Sequence, residues 1–271
     1  MNSSEKPQIL LTNDDSINSP GLWAAAEALA PLGYVHVVAP RVQQTSMGRA
    51  LPRESDGLVN PQTMIVHGKP WEVFAVGGSP AQSVLHGLLE VMQHKPDLVV
   101  SGINYGENIA SGLMVSGTIG AAVEAATMGV PALAVSLQTP MEYHFNLSRD
   151  VDFSVAGHFA ALFAAKMLNS QLPFDVDVLK VDIPQSATVE TPWVLTRQSR
   201  QRYFFPVPRE GDDGHGSRNM GYITRVDKES AEPESDLRTV VLEQKVSVTP
   251  LSFDMTSRVD FNALRDLLSG N

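Results

Sequence analysis

Residues 9–21 read ILLTNDDSINSPG, which is an apolar run followed by a polar loop and the start of a helix. The apolar run is short, which is typical of a strand that is buried on both faces of a parallel sheet. Pro20 and Gly21 begin the helix, and the apolar residues after them recur at helical spacing. This stretch therefore predicts the first strand and the first helix of an α/β fold, joined by an acidic loop.

The alternation of strand and helix continues beyond this stretch. Residues 34–39, YVHVVA, are mostly β-branched or aromatic and predict a second buried strand, which completes a βαβ unit. Ligands of an open parallel sheet bind outside the carboxyl ends of its strands, so the polar loops after the strands are the candidate site. The same patterns predict strands at 71–76, 97–101, 131–136 and 177–183 and helices at 80–92, 117–128, 153–168 and 260–268.

The pattern changes after about residue 184. Residues 191–202 and 238–249 are typical of extended segments, and a stretch rich in glycine and acidic residues lies between them at 210–216. This composition predicts a strand-rich arm that projects from the core. We predict a single domain over 1–271, with the core at about 8–184 and 256–271 and the arm at about 185–255.

The composition excludes several classes of function. Twenty Lys and Arg residues against thirty Asp and Glu residues give a formal charge of −10, which opposes the phosphate contacts that polymeric nucleic acid requires. No segment has the length of a membrane span or the parts of a leader peptide, so we expect a cytoplasmic protein with no membrane partner. The absence of cysteine removes disulfides, thiolate nucleophiles and cysteine-bound metals. Any metal must therefore be bound by oxygen or imidazole.

Familiar catalytic motifs are also missing. The seven histidines show no spacing typical of a metal site. The chain has no nucleophile elbow, no Walker loop and no glycine-rich dinucleotide motif after the first predicted strand. The sequence therefore gives no motif evidence for a serine hydrolase, a nucleoside triphosphatase or a dinucleotide-dependent enzyme.

Asp14 and Asp15 stand side by side where the first predicted strand ends. Adjacent carboxylates repel each other unless a cation or a shared proton relieves them, and a hard divalent ion is the simplest relief. The structural alternative is that one aspartate caps the helix that begins near Pro20 and the other is solvated. Asn13 beside them adds a neutral oxygen ligand or a donor to an anion.

Two further loops carry groups that suit a phosphate. Residues 101–108, SGINYGEN, follow another apolar strand, and Asn104 can give a carbonyl oxygen to a metal and an amide hydrogen to a phosphate. Ser116, Gly117 and Thr118 lead directly into a helix, whose N-terminus favours an anion. The structural alternatives are a plain turn for the first loop and an ordinary helix cap for Ser116 or Thr118.

Gly78 and Ser79 form a similar junction between a strand and a helix. We include both among the candidate substrate-binding residues because the N–H groups at such a junction point towards a bound anion. Pro80 in the first turn is equally typical of a helix start without any ligand.

Taken in order, these segments resemble the SurE survival-protein family of nucleotidases. Each segment alone is weak evidence for the family, whereas the ordered set of segments is specific to it. The set covers most of residues 8–251. The likeness rests on ILLTNDD at 9–15, VAP at 38–40, GSPA at 78–81, DLVVSGINYG at 97–106, SGT at 116–118, TRQSR at 196–200 and VSVTPL at 246–251.

The resemblance implies a metal-dependent phosphomonoesterase that acts on nucleoside 5′- or 3′-monophosphates. It implies a Rossmann-like three-layer αβα core with a mostly parallel sheet, and a strand-rich arm that is exchanged between the subunits of a homodimer or homotetramer. It also implies one divalent metal ion, Mg²⁺ or Mn²⁺, per subunit. The family's ligands are two aspartates, one hydroxyl residue and one asparagine, and Asp14, Asp15 and Asn104 match three of them and are the expected catalytic residues. The expected substrate-binding residues are Asn13, Gly78, Ser79, Ser116, Gly117 and Thr118.

The hydroxyl ligand falls in a segment that departs from the family. Counting from Pro40 places Thr45 at the ligand position, with Ser46 as the alternative. The family usually shows SGxGH here, whereas this chain reads TSMGR, so Arg49 replaces a histidine and could hold a phosphate at two points. Ser16 also stands where the family commonly has glycine.

Three functions stay open at this point. The first is the nucleotidase, the second is a phosphatase for short polyphosphate or sugar phosphates built on the same site, and the third is a non-catalytic module that holds a nucleotide. Arg197 and Arg202 are expected to reach either the substrate or the core of a neighbouring subunit, with simple salt bridges on an exposed strand as the alternative.

Overall fold

The computed structural model describes residues 6–208 and 221–270. Its strands are β1 (Gln8–Thr12), β2 (Tyr34–Pro40), β3 (Val59–Val66), β4 (Lys69–Val76), β5 (Leu98–Tyr105), β6 (Ala132–Leu137), β7 (Val178–Ile183), β8 (Trp193–Leu195), β9 (Phe204–Val207), β10 (Gly221–Thr224) and β11 (Val246–Leu251). Its α-helices are α1 (Pro20–Leu29), α2 (Pro80–His86), α3 (Gly117–Thr127), α4 (Ser154–Leu168) and α5 (Phe261–Ser269). Short 3₁₀ turns lie at Ala110–Val115 and Met141–Tyr143, and π-helical turns at Gly87–Val91 and Arg238–Leu242.

Nine of the strands form one sheet in the order β3-β4-β2-β1-β5-β6-β7-β11-β8. Neighbouring strands are parallel except for β3 with β4 and β7 with β11. Helices α1 and α4 pack together over one face and α2 and α3 over the other, with a cluster of buried apolar residues beneath each pair. The predicted three-layer αβα core with a mostly parallel sheet is therefore confirmed.

The central strand β1 has no polar face, which explains its unbroken apolar sequence. Ile9 and Leu11 belong to the cluster under α1 and α4, whereas Leu10 belongs to the cluster under α2 and α3. A strand that is covered on both faces has apolar side chains on both of them, as β1 has at Ile9, Leu10 and Leu11. Because β1 lies between β2 and β5, the loop after it opens at the middle of the carboxyl edge of the sheet.

The structure corrects the predicted elements in two places before residue 184. The sequence analysis misses β3, which pairs with β4 through a two-residue turn at His67 and Gly68, whose φ angles are 48° and 73°. Positive φ at both positions is typical of a tight hairpin turn. Strand β5 also continues through the predicted loop to Tyr105, with an irregularity in its pairing to β6 between Ser101 and Asn104.

Residues 185–255 divide between the main sheet and a separate part. Strands β8 and β11 extend the main sheet beyond β7, whereas β9 and β10 form a two-stranded sheet of their own. Only Trp193–Leu195 of the predicted segment 191–202 is a strand, and the predicted segment 238–249 begins with a π-helical turn. The stretch at 210–216 lies outside the described residues. The division of the chain into core and arm stays a prediction.

A buried lysine joins this region to the core sheet. Lys180 of β7 is fully buried, and its Nζ donates to Asp182 at 2.5 Å, to Asp236 at 3.1 Å and to the carbonyl oxygen of Asn108 at 2.9 Å. Burial acts to lower the pKa of Lys180, but the two carboxylates outweigh it and raise that pKa above its ordinary value. Asp236 also accepts the backbone N–H of Ser199 at 2.9 Å. The network therefore fixes the segments around Ser199 and Asp236 against β7.

Helix α5 stands apart from the core to which the sequence assigns residues 256–271. None of its residues is buried, and its apolar side chains face solvent in the single chain. Among the residues that the structure describes, no helix has the length and apolarity to cross a bilayer.

Candidate active site

Asp14 and Asp15 lie at the carboxyl end of β1, between the segments that follow β2 and β5. Both residues are buried, with 4% and 2% of their surface exposed. Asp15 accepts hydrogen bonds from the backbone N–H of Tyr105 and from Gln43 Nε2, both at 3.0 Å. Asp14 Oδ1 accepts a hydrogen bond from the Thr118 hydroxyl at 2.5 Å. Groups from β5, from α3 and from the loop after β2 thus converge on the acidic pair.

The acidic pair has no cationic partner within the described residues, because no ion pair there includes either aspartate. Burial raises the pKa of Asp14 to about 6, although the Thr118 hydroxyl and the first N–H groups of α3 oppose this shift. Burial, reinforced by repulsion from Asp14, raises the pKa of Asp15 well above its ordinary value. A bound cation would favour the charged form of both groups.

Asn104 is oriented so that its carbonyl oxygen is left for another group. Its Nδ2 donates to the backbone oxygen of Tyr105 at 3.1 Å and to that of Gly106 at 2.8 Å. Both amide hydrogens are therefore engaged, and the amide hydrogen that the sequence analysis offers to a phosphate is not free. The carbonyl oxygen accepts no hydrogen bond from the residues that the structure describes.

Asn13 behaves in the same way on the other side of the pair. Its Nδ2 donates to the backbone oxygen of Ser16 at 3.0 Å, and its buried Oδ1 has no hydrogen-bond partner in the described part of the chain. Ser16 has a φ of 90°, a conformation that is easier for glycine, which is the residue common in the family at this position. The turn at 13–16 therefore presents acceptors rather than donors near the carboxylates.

Thr45 and Ser46 lie in an exposed loop next to Asp14. The backbone N–H of Gln44 donates to the backbone oxygen of Asp14 at 2.7 Å, which holds the loop against the end of β1. Both hydroxyl residues are exposed, and Ser46 has a φ of 64°. The structure holds this loop beside Asp14, and Thr45 as the hydroxyl ligand, with Ser46 as the alternative, stays a prediction.

The N-terminus of α3 packs directly on Asp14. Ser116 is the helix cap, and its hydroxyl oxygen accepts the N–H of Ile119 at 3.2 Å. A Cβ atom at Gly117 would lie 2.7 Å from the Cβ of Asp14, so only glycine allows this approach. Thr118 donates its hydroxyl hydrogen to Asp14 and so positions that carboxylate.

Gly78 and Ser79 form no hydrogen bond with the acidic pair in the described part of the chain, and their role in substrate binding stays a prediction. Strand β4, which leads into them, is separated from β1 by β2. Ser79 is fully buried, forms a capping box with Gln82 and donates its hydroxyl to the backbone oxygen of Ala50 at 2.6 Å. The structural alternative, a helix cap, accounts for all polar groups of Ser79.

The arginines singled out from the sequence make contacts away from the pair. Arg49 donates to Glu124 of α3 at 2.5 Å and to Thr127 at 2.9 Å, so its guanidinium holds a helix side chain. Arg197 forms an exposed ion pair with Glu234 at 3.5 Å, which matches the salt-bridge alternative. Arg202 donates to the backbone oxygen of Phe204 at 3.0 Å, on the surface. The Arg49 guanidinium is thus engaged by α3, and its contact with a phosphate stays a prediction.

The oxygen atoms at this edge fit a hard divalent ion. No group of three or more His, Asp or Glu side chains that could hold a metal occurs within residues 6–208 and 221–270, so a metal would depend on two carboxylates and neutral oxygens. Asp14 and Asp15 supply the carboxylates, and Asn104 supplies a carbonyl oxygen that its own amide contacts have oriented. Carboxylate, carbonyl and hydroxyl oxygens are the ligands that suit Mg²⁺ and Mn²⁺.

Three residues near the pair are not found by the sequence analysis. Gln43 Nε2 donates both to Asp15 and to the backbone oxygen of His144, at 3.0 Å and 2.8 Å. Glu107 is buried two residues after the end of β5. Glu107 lies within the segment 101–108 that the sequence analysis singles out, and this is its only signal in the sequence, since a lone glutamate, like the lone Gln43 and His144, has no motif of its own.

The chain is similar to several known proteins. The family model described as "Survival protein SurE" matches residues 9–204. The protein named 5′-nucleotidase SurE from Thermococcus gammatolerans is 40% identical over 267 residues, which cover 97% of this chain and 96% of the relative. The protein of the same name from Methanocella arvoryzae is 41% identical over 257 residues, covering 92% and 93%. The crystal structure of the SurE protein from Aquifex aeolicus matches with a TM-score of 0.74 and 29% identity over 97% of this chain and 100% of that one. With a family model over more than half of its length and relatives of this similarity, the chain belongs to the SurE family.

Proposed function

We propose that the chain is a metal-dependent phosphomonoesterase that hydrolyses nucleoside 5′- or 3′-monophosphates to nucleoside and phosphate. The observation that carries this proposal is the buried pair Asp14 and Asp15, which has no cationic partner in the described residues and lies at the carboxyl edge of a parallel sheet. The names of the relatives, 5′-nucleotidase SurE, support the 5′-monophosphate as substrate.

One divalent ion per subunit, Mg²⁺ or Mn²⁺, would be held by Asp14, Asp15, Asn104 and Thr45. When bound, the ion polarises the phosphoryl group and offsets the charge of the two carboxylates. This local effect would allow a protein of net charge −10 to receive an anionic substrate.

The chain's own residues position the groups around the phosphoryl ester. Thr118 and the N–H of Tyr105 fix one oxygen of Asp14 and one of Asp15, at 2.5 Å and 3.0 Å. The first N–H groups of α3 face Asp14, and the positive end of this helix would also favour negative charge that develops on a phosphoryl oxygen beside that carboxylate. The Ser116 hydroxyl keeps its hydrogen for such an oxygen, because in its capping bond it acts as the acceptor.

The test is release of inorganic phosphate from nucleoside 5′- and 3′-monophosphates by protein that has been stripped with EDTA. We expect phosphate release only after Mg²⁺ or Mn²⁺ is added. We expect the rate of phosphate release to fall at least about 100-fold in Asp14→Asn, since metal binding supplies several kcal/mol to such reactions. Asp97→Asn is the matched control, because Asp97 lies at the opposite edge of the sheet, where it accepts the N–H of Gln8 at 2.8 Å.

Three outcomes separate the candidate functions. Full turnover by Asp14→Asn at saturating Mn²⁺ would contradict the assignment of the site. Release from polyphosphate or sugar phosphates, with none from nucleotides, would support a different substrate on the same site. Nucleotide binding that ignores EDTA and gives no phosphate would support a non-catalytic module.

We also propose that the chain forms a homodimer or homotetramer through the arm at about 185–255, and that helix α5, which follows the arm, takes part in the same contact. Helix α5 is amphipathic and has no buried residue in the single chain. Its apolar side chains are Phe261, Leu264, Leu267 and Leu268, with exposures of 61%, 37%, 74% and 77%. A second copy of the chain is the partner that would cover this face without requiring any other protein.

A further inference from the structure

Gln43 joins the acidic pair to the loop that follows β6. Its Nε2 donates one hydrogen to Asp15 Oδ1 at 3.0 Å and the other to the backbone oxygen of His144 at 2.8 Å. Both acceptors are fixed, so the amide cannot turn over without placing its own oxygen against two others. The amide group of Gln43 therefore has one orientation, although its side chain is only half-buried.

Each oxygen of the Asp15 carboxylate accepts a hydrogen bond from a different part of the chain. Gln43 reaches Oδ1 from the loop after β2, and the backbone N–H of Tyr105, at the end of β5, reaches Oδ2 at 3.0 Å. Donors on both oxygens fix the plane of a carboxylate, which a single donor leaves free to turn. Partners of this kind orient metal ligands, and their removal commonly weakens metal binding about 10- to 100-fold.

His144 is a fixed acceptor for the second hydrogen of Gln43. The histidine is buried, and its Nδ1 lies 2.6 Å from the hydroxyl of Tyr222, which belongs to the two-stranded sheet of β9 and β10. Its Nε2 lies 3.2 Å from the backbone oxygen of Thr139, so Nε2 carries the hydrogen and Nδ1 accepts the Tyr222 hydroxyl. Both ring nitrogens are therefore held.

The same histidine packs against the loop that orients Asn104. The backbone oxygen of Gly106 accepts Asn104 Nδ2 at 2.8 Å. The His144 ring fills the space beside Gly106, where a Cβ atom would lie 2.6 Å from Nε2. Gln43 and His144 thus connect the sheet of β9 and β10 with two of the expected metal ligands, Asp15 and Asn104.

The backbone around Gln43 is held by bonds that do not involve its side chain. The N–H of Gln44 donates to the backbone oxygen of Asp14 at 2.7 Å, and the N–H of Ile17 donates to that of Pro40 at 2.8 Å. A variant that loses only the Gln43 amide should therefore keep the loop in place. Its effect should fall on the Asp15 carboxylate.

We propose that Gln43 is a positioning residue that orients Asp15 for the divalent ion, and that Tyr222 holds Gln43 in place through His144. The inference rests on the proposed function, because it takes Asp15 to be a ligand of that ion. It gives the sheet of β9 and β10 a part in shaping the metal site through contacts that do not themselves reach the acidic pair.

Binding of Mn²⁺ to protein stripped with EDTA and then freed of chelator tests the proposal without turnover. The electron paramagnetic resonance signal of free Mn²⁺ falls as the ion binds, so a titration gives the dissociation constant. Gln43→Leu keeps the approximate size of the side chain and removes both donors. We expect it to raise the dissociation constant about tenfold, and Tyr222→Phe, which removes only the bond to His144, to raise it about threefold.

Turnover separates positioning from a general loss of structure. The ion's carboxylate ligands remain in Gln43→Leu, so we expect saturating Mn²⁺ to restore kcat to within about twofold of wild type, with KM for the nucleotide unchanged. A purely structural role gives the opposite pattern, which is a lower urea midpoint in EDTA and a kcat that excess Mn²⁺ does not restore. That pattern would overturn the proposal.

Gln44→Leu is the matched control, because it makes the same substitution at the next residue. The contact of Gln44 with the site is through its backbone N–H, which the substitution keeps. We expect this variant to bind Mn²⁺ as wild type does. An equal loss of binding in Gln43→Leu and Gln44→Leu would mean that the loop sets the affinity and that the Gln43 amide does not.

The inference and the proposed function fail in different ways. A wild-type protein that neither binds Mn²⁺ nor releases phosphate contradicts the proposed function. An active wild type that binds Mn²⁺, with unchanged binding in Gln43→Leu, overturns the positioning role alone. Weakened binding in Gln43→Leu with unchanged binding in Tyr222→Phe overturns the part assigned to Tyr222.

Discussion

The raised pKa of Asp14 links the stability of the fold to pH when no metal is present. The folded state keeps a proton on Asp14 up to about pH 6, whereas the unfolded chain loses it near pH 3.8. The protonated Asp14 therefore contributes to the free energy of unfolding at low pH, and this contribution is lost as the pH rises through about 6. In EDTA, we expect Asp14 alone to lower the free energy of unfolding by about 1 kcal/mol between pH 5.5 and pH 7.5.

Urea unfolding at the two pH values measures this effect in wild type and in Asp14→Asn. The variant lacks the titrating carboxyl group, so its loss of stability over the same interval should be smaller by that amount. Saturating Mn²⁺ should remove the decrease in wild type, because the ion takes the place of the proton. Equal pH dependence of both proteins in EDTA would contradict the raised pKa.

The loop hydroxyl that completes the metal site is a second prediction at the scale of single residues. Thr45 and Ser46 are adjacent and exposed, and the loop that carries them is held to Asp14 by the N–H of Gln44. We expect Thr45→Ala to raise the Mn²⁺ concentration for half-maximal phosphate release about tenfold, and Ser46→Ala to leave it unchanged. The reverse result would assign the ligand to Ser46, and no change in either variant would exclude both.

Single residues also mark the limit of what the sequence can predict. The paired aspartates are found from sequence because the strand that precedes them is a local pattern. Their partners are not, because Tyr105 lies 90 residues after Asp15 and Thr118 lies 104 residues after Asp14. The use of the Asn104 amide hydrogens depends on the path of the backbone after β5, which no side-chain pattern encodes.

At the scale of elements, the approach of α3 to β1 depends on Gly117. A Cβ atom there would lie 2.7 Å from the Cβ and 2.9 Å from Oδ2 of Asp14, so the helix would have to move away from the site. We expect Gly117→Ala to destabilise the fold by about 1–3 kcal/mol, as overpacking does, and to lower phosphate release at least tenfold. Thermal unfolding and the phosphate assay measure the two effects.

Gly157 in α4 provides the matched control for this prediction. A Cβ atom at Gly157 meets its nearest neighbours, in Ala24 and Ala28, at 3.4 Å, and alanine favours a helix more than glycine does. Gly157→Ala should therefore keep its activity and its stability. Normal activity in Gly117→Ala would show that the helix need not contact Asp14.

The elements that the sequence predicts well are those buried on both faces. Strands β1, β2, β5, β6 and β7 each contain a run of apolar residues, such as Ile9–Leu11 in β1 and Leu98–Val100 in β5, and these runs predict that the strands exist. Strand β3 lies at the edge of the sheet, is largely exposed and includes Pro61, which removes both the apolar and the alternating signal. Strand β8 has three exposed residues and exists because β11 pairs with it. Its position depends on sheet topology and not on its own sequence.

At the scale of the whole molecule, the sheet collects the carboxyl ends of its parallel strands along one edge. The acidic pair follows the central strand β1, and a cavity of about 610 Å³ follows β6 and β7 on one side of it. The order of the strands therefore sets the spacing between the acidic pair and this cavity. The buried network around Lys180 holds β7 to the residues around Ser199 and Asp236, so it also supports the cavity wall that contains Tyr203.

The exposed face of α5 gives the last prediction, which concerns assembly. Leu264 and Leu268 are one helical turn apart and face solvent in the single chain, a cost that a second copy would remove by burying them. We expect light scattering to give a dimer or tetramer for wild type and a monomer for Leu264→Lys/Leu268→Lys. Asn262→Lys adds a positive charge to the same helix at a polar residue, and it should keep the assembly. A wild-type monomer, or an unchanged mass in the double variant, would mean that α5 does not join the subunits.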